Sequence, residues 1–202
     1  MHTLKYLQGF VMDALQRQRY PSEPKELYEP VSYFMSLGGK RLRPVLLLMS
    51  ADMFGGNVQH SLNAAMAIEV FHNFTLLHDD IMDKAPLRRG NQTVHTKWNE
   101  SIAILSGDVM LIEAYKLLSS VDAAQLPKVL EIFNETAIGV CEGQQLDMNF
   151  ENSNEVKISE YLNMIRLKTA VLLGGALKIG AALSNASPID AEKIYEFGVK
   201  LG

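Results

Sequence analysis

Residues 62–83 carry apolar side chains at helical spacing around most of the circumference of a helix. The apolar positions are Leu62, Ala65, Met66, Ile68, Val70, Phe74, Leu76, Leu77 and Ile81. A helix at a protein surface has a narrower apolar stripe, so this pattern predicts a long helix that is packed on most of its sides. Other elements of the same fold must therefore surround it.

The same periodicity recurs along the rest of the chain. Further helices are predicted over residues 43–54, 102–118, 127–150, 159–183 and 188 to the end of the sequence. The breaks between them are rich in Gly, Pro and Asn, which favour turns. The sequence contains no strand-like alternation bounded by hairpin turns and no repeat of fixed period. We expect a single all-α domain, a bundle of long antiparallel helices around a central cavity.

A cluster of aspartates ends the predicted central helix. Asp79 and Asp83 are four residues apart, so their carboxylates lie on one face of the helix, while Asp80 lies roughly 100° away. These like charges repel one another and oppose the helix dipole. A solvated helix end is one explanation, and a bound cation that offsets the repulsion is the better one. Carboxylates suit Mg²⁺, which typically bridges them to substrate phosphates.

Two basic segments flank these aspartates in the sequence. The segment GGKRLRP places Lys40, Arg41 and Arg43 beside a flexible turn and ahead of an apolar helix. Free amides at a helix start favour anions, and both Lys and Arg bind phosphate. The pattern predicts a diphosphate cradle, although a solvated basic loop has the same composition. Arg88 and Arg89 are either solvated or directed at a phosphate held by the metal.

Other polar residues lie within apolar helical patterns. Lys168 precedes Thr169 in a strongly apolar segment, where an unpaired charge costs free energy unless it reaches solvent at the helix rim. His72 lies two helical turns before the first aspartate and on roughly the same face. A histidine in this position is either a substrate contact or a buried structural residue. Gln144 and Asp147 are either site residues or polar residues of a surface helix.

The composition excludes several functional classes. The 202 residues carry a formal charge of −4 and no lysine-rich tail, which argues against nucleic acid as a partner. The single cysteine, Cys141, excludes an internal disulfide and a cysteine-based zinc cluster. The N-terminus lacks the apolar core of a signal peptide, and no stretch approaches the ~20 apolar residues of a membrane span. We expect a cytoplasmic protein without a membrane span.

Six segments occur in an order and spacing that resemble the trans-isoprenyl diphosphate synthases, also called polyprenyl synthetases. The segments are GGKRLRP, FHNFTLLHDDIMD, LRRGNQTVH, GDVML, GQQLD and KTA. The resemblance implies an isoprenoid synthase-like fold, usually homodimeric. It also implies a Mg²⁺-dependent prenyltransferase of the geranylgeranyl or farnesyl diphosphate synthase type. Such an enzyme condenses isopentenyl diphosphate with an allylic prenyl diphosphate to give a longer trans-polyprenyl diphosphate.

The resemblance also implies roles for individual residues. The isopentenyl diphosphate pocket is matched by Lys40, Arg43, His72 and Arg89. The magnesium ligands are matched by Asp79 and Asp83, with Asp80 in support. Contacts to the allylic diphosphate are matched by Arg88 and Lys168, so that the catalytic set is Asp79, Asp80, Asp83 and Lys168. Thr169 matches a polar residue near the reacting carbons, and Gln144 and Asp147 match residues that position water and metal.

The end of the sequence departs from the family pattern. Family members carry a second aspartate-rich motif shortly after a segment like FGVKLG, where this sequence stops. We therefore expect a chain truncated before that motif, with little activity in isolation. A non-catalytic partner subunit is one alternative. A terpene cyclase of related fold is another, but it would not need the second diphosphate pocket.

The resemblance also bears on the length of the product. Phe74 lies five residues before Asp79, about one and a half turns deeper along the helix. A bulky aromatic side chain there would close the cavity into which the prenyl tail grows. The resemblance to the shorter-chain synthases of the family implies a C20 product first and a C15 product second. The alternative is that Phe74 points into the core and that residues 102–118 set the length.

Overall fold

The computed structural model describes residues 1–151 and 153–202, and most of them are helical. The helices are α1 (Leu4–Arg17), α2 (Lys25–Ser36), α3 (Leu42–Met53), α4 (Leu62–Met82), α5 (Val94–Lys97), α6 (Glu100–Leu118), α7 (Leu126–Glu151), α8 (Ile158–Ile165), α9 (Val171–Leu183) and α10 (Pro188–Leu201). The all-α prediction is confirmed. Where a helical segment was predicted, its outer bounds agree with the observed ones to within two residues.

The central helix is α4, which packs against α3 on one side and α6 on another. Residues 64–71 are all buried, as the broad apolar stripe predicts. Burial of each large side chain in this run, such as Ile68 or Phe71, contributes about 1.5 to 3 kcal/mol to folding. The C-terminal end of α4, which carries the aspartates, is thereby held by packing over the preceding turns.

The first two helices, α1 and α2, were not predicted from the sequence. α1 buries Leu7 and Val11, and α2 buries Pro30, Val31 and Phe34. Each helix therefore lies at the surface and buries only a narrow apolar stripe. Charged residues stand between the apolar ones in the sequence, so the helical period was not recognised. Their stability depends on the packing that α3, α4 and α6 provide.

The helix predicted over residues 159–183 is not uniform. Between α8 and α9 the backbone forms a π-helical turn over Arg166–Ala170. Such turns are rare and occur frequently at functional sites, because the wider backbone changes the direction of side chains. Here the turn contains Lys168 and Thr169, both of which the sequence indicated as site residues.

The expectation that the chain has no hairpin was wrong at one place. Strands β1 (Leu87–Arg88) and β2 (Asn91–Gln92) pair antiparallel. Arg89 and Gly90, which join them, have φ of 53° and 79°, as a two-residue type I′ turn requires. The strands are too short for alternation to show in the sequence, and the hairpin directs Arg88 and Arg89 to different partners.

Among the described residues, no helix combines the length and the apolar character needed to cross a bilayer.

Candidate active site

The three aspartates lie at the C-terminal end of α4. Asp80 is buried, with a side chain only 2% exposed, whereas Asp83 caps the helix in an exposed position. Arg88, from the hairpin, donates from Nε to Asp80 Oδ2 at 2.7 Å and from Nη2 to Asp79 Oδ2 at 3.3 Å. One guanidinium therefore ties together two neighbouring carboxylates that would otherwise repel each other.

Lys168 brings a second cation to the cluster from the π-helical turn. Its Nζ donates to Asp147 Oδ2 on α7 at 2.6 Å and lies 3.0 Å from Asp79 Oδ1. Gly143 permits this arrangement, because a Cβ there would lie 2.1 Å from the backbone nitrogen of Lys168. Asp147 is one helical turn further along α7 and so faces the same turn. The two residues are 21 positions apart, so local patterns in the sequence could not predict their contact.

The protonation of the site follows from these contacts. Burial alone would lower the pKa of Lys168, but its contacts with Asp147 and Asp79 outweigh that effect and raise the pKa, so the ammonium stays charged. Burial raises the pKa of Asp80, and the Arg88 hydrogen bond opposes the shift. The pKa of Asp83 is also raised, by desolvation and by the charge of Asp79.

The aspartates fit a hard divalent cation. Among the described residues, no group of three or more His, Cys, Asp or Glu side chains is arranged to hold a metal by itself. Asp79 Oδ1 and Asp80 Oδ1 are nevertheless buried and accept no hydrogen bond from the residues described, although Lys168 lies beside the first of them. Mg²⁺ is usually bound by one or two carboxylates, with water and substrate phosphate completing its coordination. The donor set therefore fits magnesium bound together with a phosphate ligand.

A basic cavity of about 300 Å³ lies on the other side of the hairpin. It is lined by Gly39, Lys40, Arg41, Leu42, Arg43, Glu69, His72 and Arg89. The four residues that the sequence indicated for the isopentenyl diphosphate pocket thus line a single cavity. The guanidinium of Arg89 donates to the carbonyl of Gly38, which connects the hairpin to the glycine turn.

His72 is a neutral member of this cavity. Its Nε2 lies 3.1 Å from Arg43 Nη1. Burial, together with the charges of Arg43 and Arg89, lowers the pKa of His72 from 6.5 to about 2. An arginine can only donate, so Nε2 is the acceptor and the ring proton lies on Nδ1. His72 therefore orients Arg43 rather than supplying a positive charge.

A buried ion pair beneath the cavity was missed in the sequence. Arg41 Nη1 donates to Glu69 Oε1, with side chains 5% and 3% exposed. Arg41 also donates to the carbonyl of Met35 at 2.8 Å, and Asn73 donates to Glu69 Oε1 at 3.0 Å. The signal available in the sequence was a glutamate within the otherwise apolar residues 64–71.

An apolar cavity of about 410 Å³ opens beside Asp79. Its wall includes Phe74, Thr75, His78, Val140, Gln144, Met148, Lys168, Thr169 and Leu172. Arg43 and His72 line this cavity as well as the basic one, so the two cavities adjoin. Gln144 and Thr169 both line this cavity, together with Asp79 and Lys168.

Comparisons with known proteins agree with this geometry. A model of the polyprenyl synthetase family matches residues 24–202. The geranylgeranyl diphosphate synthase of Methanosarcina mazei is 45% identical over 183 residues, which are 90% of this chain and 56% of the relative. The chain thus spans little more than half the length of that curated relative.

Solved structures are similar along the whole chain. A crystal structure of geranylgeranyl pyrophosphate synthase is 51% identical, with a TM-score of 0.96, and the match covers 100% of this chain and 62% of that one. The polyprenyl synthase of Caulobacter crescentus, crystallised with calcium and isoprenyl diphosphate, is 29% identical with a TM-score of 0.91. That match covers 98% of this chain and 61% of that one.

Proposed function

This chain belongs to the polyprenyl synthetase family, and we propose that the whole protein is a Mg²⁺-dependent trans-prenyltransferase. It joins isopentenyl diphosphate to an allylic prenyl diphosphate and releases diphosphate. One observation carries the proposal. The apolar cavity is lined by Asp79 of the aspartate cluster, and it shares Arg43 and His72 with the basic cavity. The assignment concerns the whole protein, because the chain covers 56% of its curated relative.

The aspartate cluster receives the allylic diphosphate. Breaking the allylic C–O bond leaves a delocalised carbocation and a diphosphate with additional negative charge. Asp79 and Asp83 would hold the Mg²⁺, which when bound neutralises charge on the leaving group. Arg88 and Lys168 already lie beside these carboxylates and provide fixed positive charge where the negative charge develops.

The basic cavity holds the diphosphate that does not leave. Lys40, Arg43 and Arg89 provide three cations around it, and His72 fixes the direction of the Arg43 guanidinium. Because the two cavities adjoin, a bound isopentenyl group points its double bond toward the allylic carbon. Much of the acceleration then comes from positioning the two reactants. The carbon–carbon bond forms from the electron pair of that double bond.

A proton must leave after the new bond has formed. His72 is the nearest imidazole to the basic cavity, but its Nε2 already accepts the Arg43 hydrogen bond. We assign the proton to the departing diphosphate, whose oxygens are basic and lie beside the reacting carbons. In the whole reaction one C–O bond breaks, one C–C bond forms, and the proton leaves with the diphosphate.

The apolar cavity receives the growing prenyl tail. The ring of Phe74 lines it and is supported from behind by Phe71, at 5.7 Å between ring centroids. Phe71 in turn contacts Phe133 on α7 at 5.1 Å. Packed aromatic groups of this kind do not readily yield space to an additional isoprene unit. This wall supports a C20 product, with C15 as the second choice.

A second copy of the chain is the proposed partner. The exposed apolar residues of α6 include Ile104, Leu105 and Ile112, the last with 63% exposure. At helical spacing these positions fall on one side, which favours burial against another protein surface. The surface fits the homodimer that is typical of this family.

The deciding experiment is an assay of the complete protein with labelled isopentenyl diphosphate, with and without an allylic acceptor. A prenyltransferase elongates only when both are present. A terpene cyclase converts the allylic diphosphate alone into a hydrocarbon or alcohol, and a non-catalytic subunit converts neither. The last two outcomes would each refute the proposal, and Lys128→Ala, at an exposed i,i+3 pair on α7, serves as the control for mutational loss.

A further inference from the structure

The imidazole of His78 lies between the apolar cavity and α6. It lines the cavity, and its ring meets that of Phe74 edge to face at 4.7 Å. On its other side, Nε2 lies 3.1 Å from the carbonyl oxygen of Ile104, and the side chain is only 19% exposed. The ring is therefore held against α6 at the edge of the cavity, next to the ring of Phe74.

Gly107 provides the space that this ring occupies. A Cβ at Gly107 would lie 2.2 Å from His78 Nε2 and 2.5 Å from Cδ2, which is far inside van der Waals contact. Gly107 lies in the interior of α6, where glycine costs about 1 kcal/mol relative to alanine in helix propensity. The local helix would be more stable with alanine, so the close approach of the imidazole is a specific reason for glycine here.

We propose that Gly107 and His78 together set the depth of the apolar cavity, and through it the length of the prenyl product. This inference rests on the proposed prenyltransferase function. Phe74 forms one part of the wall, and the position of the His78 ring decides how much room remains beside it. His78 acts by occupying volume, and Gly107 acts by controlling where that volume lies.

A side chain at residue 107 would clash with the His78 ring. A methyl group at residue 107 would break the contact between His78 Nε2 and the Ile104 carbonyl, because both cannot occupy the same space. The ring is the far end of a side chain with two rotatable bonds, so it moves at lower cost than the two packed helices. Because α6 blocks movement of the ring on its own side, the ring turns toward the cavity and reduces the depth of the cavity. Removing the ring has the opposite effect.

The test compares Gly107→Ala, His78→Ala and the double variant in the complete protein, with dephosphorylated products separated by chromatography. Gly107→Ala is expected to shorten the main product by one isoprene unit, and His78→Ala to lengthen it by at least one. The double variant should behave like His78→Ala, because the alanine at residue 107 then has no ring to displace. Gly9→Ala is the matched control, since a Cβ at Gly9 meets nothing within 4 Å.

A second measurement separates this inference from the proposed function. In a crystal structure of the Gly107→Ala variant, the His78 ring should no longer contact the Ile104 carbonyl. An unchanged ring position, or an unchanged product distribution in an active enzyme, would overturn the role of Gly107 and His78. If the wild-type protein elongates no allylic diphosphate, the prenyltransferase proposal fails, and the ring position still decides whether Gly107 controls the cavity.

Discussion

The ammonium group of Lys168 lies 3.0 Å from Asp79 Oδ1, although the two residues come from different helical segments. The same ammonium donates to Asp147, and Arg88 approaches Asp79 from the opposite side. Two of the protein's own cations thus offset part of the charge of the aspartate cluster. In the proposed enzyme, Asp79 and Asp83 would hold the Mg²⁺, and the side chains of Lys168 and Arg88 would be placed to donate hydrogen bonds to the diphosphate oxygens.

The first prediction concerns the two proposed metal ligands. In the complete protein, Asp79→Asn or Asp83→Asn should lower kcat by about 10² to 10³, because each weakens stabilisation of the leaving diphosphate. Steady-state kinetics at saturating substrate and Mg²⁺ measure the effect. Glu131→Gln, which alters an exposed carboxylate paired with Lys128, should leave kcat unchanged. Near-normal turnover in both aspartate variants would contradict the assignment.

The second prediction separates the two diphosphate sites. Lys40→Ala should mainly raise the apparent KM for isopentenyl diphosphate, because its cation binds a group that does not ionise. Lys168→Ala should mainly lower kcat, because its cation faces the diphosphate that leaves. Initial rates over a matrix of both substrate concentrations distinguish the two effects. The same kinetic signature in both variants would rule out this division of roles.

The third prediction concerns the buried pair of Arg41 and Glu69. Glu69→Ala should lower the free energy of unfolding by about 3 to 5 kcal/mol, because it leaves the Arg41 charge buried without a partner. Arg41→Met combined with Glu69→Leu should recover most of that loss, since an apolar pair of similar volume has no charge to compensate. Denaturant titration measures both variants. A loss below about 1 kcal/mol in Glu69→Ala, typical of an exposed pair, would show that the pair is solvated.

The fourth prediction follows from the low pKa of His72, which is about 2 in the folded chain against 6.5 ordinarily. Below about pH 6 the unfolded chain binds a proton at this residue and the folded chain does not. The free energy of unfolding is therefore unaffected by His72 above its ordinary pKa. Below that pKa it falls by roughly 1.4 kcal/mol for each pH unit of acidification. His72→Gln keeps an acceptor for Arg43 and removes this dependence.

Unfolding free energies of wild type and His72→Gln, measured from neutral pH into the acidic range, test that prediction. The difference between the two proteins cancels the contributions of other titrating groups. Parallel stability curves would mean that folding does not lower the pKa of His72.

The fifth prediction concerns Phe74. Phe74→Ala in the complete protein should deepen the cavity and lengthen the product, because the ring lines the cavity rather than pointing only into the core. Product chromatography measures the change. An unchanged distribution would remove Phe74 as the floor and assign the length to residues on α6.

Local patterns in the sequence predicted the helical segments from α3 to α10, apart from α5, and indicated candidate residues for the site. The broad apolar stripe of residues 62–83 predicted α4, observed over Leu62–Met82. The four-residue spacing of Asp79 and Asp83 placed both carboxylates at one end of that helix. Such features depend on neighbours within a turn or two, so the order of residues determines them.

The tertiary structure decided which of these residues act on one another. The sequence indicated Lys168, but its pairing with Asp147 depends on the π-helical turn and on the close approach at Gly143. The sequence indicated His72, but its neutral state depends on burial among arginines from two separate segments, the start of α3 and the hairpin. The distances between charges and their access to water are set only when distant segments pack together. Those two quantities determine pKa values, ion pairs and the depth of a cavity.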